Sequence, residues 1–144
     1  VKKSAGIFFT DGCSVLLMKR KDKKNFNGFW DLPGGKSIKG ETELENAQRE
    51  TKEETGLEEI PGVLINFLKT KEDNREYTCY FYKVENKFKV KISNEHSKYD
   101  WIKFEELKEK KIHPKLQENL VFYLKKILKS TKKFSDWQNI RQCV

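Results

Sequence analysis

The stretch from Gly34 to Leu57, GGKSIKGETELENAQRETKEETGL, constrains this chain more than any other. A glycine pair leads into a helix-forming run without proline that stops at Gly56. Within that run Glu50, Glu53 and Glu54 fall on one face, because a helix advances about 100° per residue. Like charges at such spacing destabilise an isolated helix by roughly 0.2–0.5 kcal/mol per pair. A hard cation offsets that repulsion, and oxygen donors suit magnesium, manganese or calcium. Leu44, Ala47 and Thr51 lie about a quarter turn away. One side of the helix is therefore free to pack on a sheet while the glutamates face a cleft.

Local signals set the rest of the order. Thr42 and Glu45 have capping-box spacing, so the helix is expected over Glu41–Thr55 with Gly56 as its stop. Ala5–Phe9 and Ser14–Met18 read as strands joined by a turn at Asp11-Gly12. Phe29–Leu32 reads as a short strand ending at Pro33-Gly34-Gly35. Val63–Leu68 and Tyr77–Val84 read as an antiparallel pair joined by the polar KEDNR segment. Phe88–Ile92 alternates apolar residues with lysine and is expected as a half-exposed strand, with a last strand at Tyr99–Phe104. Pro114 opens an amphipathic helix carrying Leu116, Leu120, Leu124, Ile127 and Leu128. Residues 130–144 form a polar tail whose Phe134, Trp137 and Ile140 are expected to dock on the domain. The fold class is α+β, a mixed sheet between helices in one domain over 1–144.

Length and composition bound the function. A chain of 144 residues suits one core, and 12 % aromatics provide its bulk. A net charge of +8 favours phosphate, nucleic acid or an anionic surface as partner. The lysines are spread along the chain, however, so no basic groove is legible. No apolar run is long enough to span a bilayer. Cys13, Cys79 and Cys143 form no CxxC pair, and a reduced, cytoplasmic setting is expected.

The opening stretch resembles the signature of the Nudix hydrolases, the MutT-like pyrophosphohydrolases. Gly35 starts that pattern, Glu41 follows at the right interval, and Arg49-Glu50, Glu53-Glu54, Gly56 and Leu57 complete it. Thr51 stands where an aliphatic residue is usual, and its position on the sheet-facing side makes this a packing change. The preceding FWDLPGG resembles the usual lead-in. The resemblance implies an α/β/α sandwich that hydrolyses a nucleoside diphosphate linked to another group. Magnesium is the implied cofactor, with manganese a substitute.

By the same resemblance Glu50, Glu53, Glu54 and the Gly35 carbonyl are the metal ligands, with Glu41 and Arg49 supporting them. The general base is a glutamate of the signature, Glu50 or Glu53, or else Glu95 from the NEHSKYDW segment. Arg20 and His96 are candidate substrate-binding residues, and His113 reads as a helix-start residue. Trp30, Tyr99 and Trp101 offer either core bulk or a surface for base stacking. The favoured substrate is a nucleoside triphosphate, oxidised ones included, giving the monophosphate and pyrophosphate. A dinucleoside polyphosphate or ADP-ribose is the alternative, and a non-catalytic nucleotide- or RNA-binding module is the second. A monomer or a homodimer is expected.

Overall fold

The computed structural model describes residues 1–22 and 24–133, without the side chains of 131–133. Phe134, Trp137 and Ile140, with the docking expected of them, lie outside the described residues. Seven strands form one mixed sheet: β1 (Lys2–Thr10), β2 (Ser14–Arg20), β3 (Trp30–Asp31), β4 (Gly34–Lys36), β5 (Val63–Glu72), β6 (Arg75–Lys83) and β7 (His96–Lys103). Helix α1 (Glu43–Thr55) and helix α2 (Pro114–Lys133) complete the fold, with a short 3-10 helix at Phe104–Glu109. The main path runs β3-β2-β1-β6-β5, while β4 pairs with β1 and β7 with β2. The β1–β6 pair is parallel and the other pairs are antiparallel.

Alternation along β1 explains why both faces of the sheet are covered. Side chains on a strand point to opposite faces in turn. Ala5, Ile7 and Phe9 pack with Ala47 of α1, whereas Phe8 packs on the other side with Leu116, Leu120, Tyr123 and Ile127 of α2. Phe8, Phe81 and Tyr123 meet at ring-centroid distances of 5.4 to 6.3 Å, each contact worth about 0.5–1.5 kcal/mol beyond burial. Tyr123 completes the buried stripe of α2, while Leu128 stays partly exposed. The Asn66 amide donates to the Ser130 hydroxyl at 3.1 Å, tying the far end of α2 to β5.

The expected capping box is present. Thr42 accepts from the Glu45 amide at 3.1 Å and Glu45 accepts from the Thr42 amide at 2.9 Å. Gly56 closes the helix in the left-handed conformation, φ 72°, which a side chain would disfavour.

Three expectations change. Phe88–Ile92 forms no strand among the described residues. Its alternation comes from packing: Phe88 meets Phe9 and Trp101 edge-on at 5.0 and 5.1 Å. The Phe88 carbonyl accepts from the Trp101 indole, and the Lys91 amide donates to the Thr55 carbonyl. The last strand begins at His96, ahead of Tyr99. Gly34–Lys36, where the Phe29–Leu32 strand was expected to end, forms a further strand, β4, against Ser4, Ala5 and Gly6. Among the described residues no helix is long and apolar enough to cross a membrane.

Candidate active site

The site is built where β4 passes under the last turns of α1. The Gly34 amide donates to Glu54 Oε1 at 2.7 Å. Gly35 lies so close under Glu50 that an added Cβ would sit 2.5 Å from its Cδ. The two glycines serve different contacts: Gly35 leaves room for the Glu50 carboxylate, while a Cβ on Gly34 would meet the β1 backbone at Ala5 and Gly6. Asn46 Nδ2 lies 3.2 Å from the Gly35 carbonyl and 3.3 Å from that of Lys36, fixing the edge of β4 to the helix.

Arg49 organises the carboxylates from outside. Its guanidinium grips Glu41 with two bonds, Nε to Oε2 at 3.0 Å and Nη2 to Oε1 at 2.9 Å. It also donates to Glu50 at 3.1 Å, Glu53 at 3.3 Å and the Lys36 carbonyl at 2.9 Å. This two-pronged geometry is available to arginine and not to lysine. The Arg49 bonds hold the carboxyl of Glu41 below its ordinary range.

The three glutamates of α1 differ in environment. Glu54 is buried and Glu50 half-buried, and both line the cleft. Glu53 is exposed on the rim beside Arg49. Burial pushes the Glu54 carboxyl up to about 9 against the Gly34 hydrogen bond, with Glu95 and Glu50 adding to the rise. Burial likewise raises Glu50, partly offset by Arg49. Glu95 reaches the same place from the turn before β7, and its carbonyl accepts from the Lys21 amide at 2.8 Å. Donor atoms of Glu54, Glu95 and His96 all lie within 4.8 Å of one another. Converging carboxylates, one of them too buried to ionise readily, fit a divalent cation.

A cleft of about 940 Å³ extends from these residues, a size suited to a small-molecule ligand. Arg20, Asp31 and His113 line it beyond the carboxylates. Arg20 lies 3.6 Å from both Asp22 and Asp31, and its buried Nε has no hydrogen-bond partner among the described residues. The His113 amide donates to the Trp30 carbonyl at 2.9 Å, pinning the start of α2 beside Asp31. Burial raises the Asp31 carboxyl, and His113 and Arg20 oppose that rise.

The structure thus brings Gly35, Glu50, Glu54, Glu95, His96 and Arg20 to one cleft, with Glu41, Arg49 and Glu53 at its edge. Trp30, Tyr99 and Trp101 pack into the two cores. Sequence reasoning missed Asn46 and Asp31. The first had a signal: a buried asparagine inside a helix is a poor helix former and needs a bonded partner.

A model of the NUDIX domain matches residues 2–123. The 8-oxo-dGTP diphosphatase of Proteus vulgaris is 30 % identical over 81 residues, covering 56 % of this chain and 72 % of that protein. A Mycobacterium tuberculosis relative is 49 % identical over 47 residues, 33 % of this chain and 33 % of its own. This chain is thus matched to about a third of that relative's length. A Caenorhabditis elegans Ap4A hydrolase, solved as a binary complex, superposes with a TM-score of 0.66 at 22 % identity. That superposition covers 93 % of this chain and 97 % of the other. Gly35, Glu41, Arg49-Glu50 and Glu53-Glu54 form one strand–helix unit within the matched span, and the chain belongs to the Nudix (MutT-like) family.

Proposed function

We propose that this domain is a metal-dependent pyrophosphohydrolase that converts a nucleoside triphosphate, oxidised ones included, to the monophosphate and pyrophosphate. The observation that carries this reading is the convergence of Glu50, Glu54 and Glu95 in one cleft beside Gly35. The similarity to the Proteus vulgaris 8-oxo-dGTP diphosphatase supports the substrate class.

In this reading Glu50, Glu53, Glu54 and the Gly35 carbonyl hold magnesium, with manganese as a substitute. Such a cation supplies charge neutralisation at the phosphate oxygens and a more acidic water. The chain's own residues do the rest. Glu95, exposed at the cleft mouth, accepts the proton of the attacking water, with Glu50 the alternative acceptor. Arg49 and Glu41 fix the helix against β4 so that the carboxylates keep their spacing. Arg20, with its Nε unsatisfied, donates to a phosphate oxygen. Asp31 and His113 face the part of the substrate beyond the phosphates.

A second reading, a dinucleoside polyphosphate substrate, is favoured by the cationic end of the cleft. Lys36 and Arg75 line it there beside the ion pairs Lys71–Glu76 and Lys115–Glu72, and further phosphates would find counter-charge at the first two. A nucleotide panel incubated with magnesium or manganese and resolved by product mass separates the two. Release of pyrophosphate from triphosphates supports the first reading. Preferential cleavage of dinucleoside polyphosphates supports the second.

A further inference from the structure

We infer that His96 is a metal ligand, a nitrogen donor that joins Glu54 in a cation site beside Glu95 and biases that site towards transition ions over magnesium. The inference deepens the metal-dependent reading above and rests on it.

Three observations carry it. His96 is only 7 % exposed, so little of the ring is left to meet substrate. Nδ1 is fully buried without a hydrogen-bond partner among the described residues. A neutral imidazole has one donor and one acceptor, and both are normally satisfied when buried. Nε2 instead faces Glu54 Oε2 at 3.9 Å. That is too far for a hydrogen bond. It is within the span of two donors each about 2.1 Å from a shared ion, at most roughly 4.2 Å.

The backbone shows how the ring is aimed. Lys19 pairs with Lys98, but Arg20 pairs with His96 where regular register would give Ser97. This bulge breaks the alternation that would otherwise place His96 on the face of the exposed Lys98. The ring turns inward to Glu54 while Lys98 remains in solvent. Magnesium prefers oxygen donors, whereas an imidazole favours the transition ions.

Manganese binding to the whole chain without nucleotide tests this by pulsed electron paramagnetic resonance, which detects an imidazole nitrogen bound to Mn2+. The nitrogen modulation is expected in the parent protein and in His113→Gln, and absent in His96→Gln. Calorimetry should show cobalt affinity falling about tenfold or more in His96→Gln while magnesium affinity changes little. Manganese bound without nitrogen modulation in the parent, or modulation that persists in His96→Gln, overturns the assignment. If Glu54→Gln leaves manganese affinity unchanged, the metal-dependent reading itself fails. Circular dichroism of each variant confirms that the fold is retained.

Discussion

Glu54 Oε1 accepts from the Gly34 amide at 2.7 Å, so a buried carboxyl on α1 holds β4 in place while its other oxygen faces Glu95 and His96. The same burial lifts this carboxyl from an ordinary 4.5 to about 9 in the metal-free protein. Between those values the folded chain keeps a proton that the unfolded chain has released. Stability therefore falls as pH rises through that window. Thermal unfolding of metal-free protein from about pH 5 to about pH 9 should show the melting temperature declining. Glu54→Gln keeps the acceptor for Gly34 without the charge. It should flatten the decline and melt higher than the parent at about pH 8. An unchanged slope would contradict the burial argument.

Arg49 bonds to three glutamates and a carbonyl, so its loss leaves carboxylates facing one another. Arg49→Ala should cost about 1–2 kcal/mol, a modest figure because the group is partly exposed. Activity should fall about a hundredfold as the carboxylates lose their spacing. Arg49→Lys keeps the charge without the fork and should recover only a minor part. Urea unfolding and steady-state kinetics measure the two effects separately.

Gly35 allows the closest approach between β4 and Glu50. In Gly35→Ala the new methyl would meet the Glu50 carboxylate, the far end of a flexible side chain. That carboxylate swings aside and the fold survives. The expected outcome is a melting temperature close to the parent's, with manganese affinity and turnover reduced about tenfold or more. A parent-like turnover would show that the position of Glu50 is not critical.

Thr42→Ala removes one half of the capping box at the start of α1. The expected cost is about 1 kcal/mol, read by chemical denaturation, with kcat little changed because the cap lies at the opposite end from Glu54.

Helix α1 was readable from sequence because its signals are local: Thr42, Glu45 and Gly56 act within a turn of themselves. Strand β4 was not, because two glycines carry almost no strand preference and their pairing partner is distant in the chain. Phe88–Ile92 misled for the opposite reason, since one-sided packing gives the same alternation as a strand. The helical wheel grouped Glu50, Glu53 and Glu54, yet it could not rank their burial. That depends on where β4 and the turn before β7 fall. His96 was visible only as a histidine beside Glu95. The bulge that turns it inward arises from register against β2.

In the proposed function the Glu50–Glu54–Glu95 cleft cleaves a phosphoric anhydride with a divalent metal. Hydrolysis of 8-oxo-dGTP and a nucleotide panel in water enriched in oxygen-18, with magnesium or manganese, tests it most directly when parent and Glu54→Gln are compared by product mass. A labelled nucleoside monophosphate or pyrophosphate is expected from the parent, none without metal, and at least a hundredfold less from Glu54→Gln. Turnover that survives Glu54→Gln unchanged, or its absence from the parent with every nucleotide and divalent ion, would contradict it.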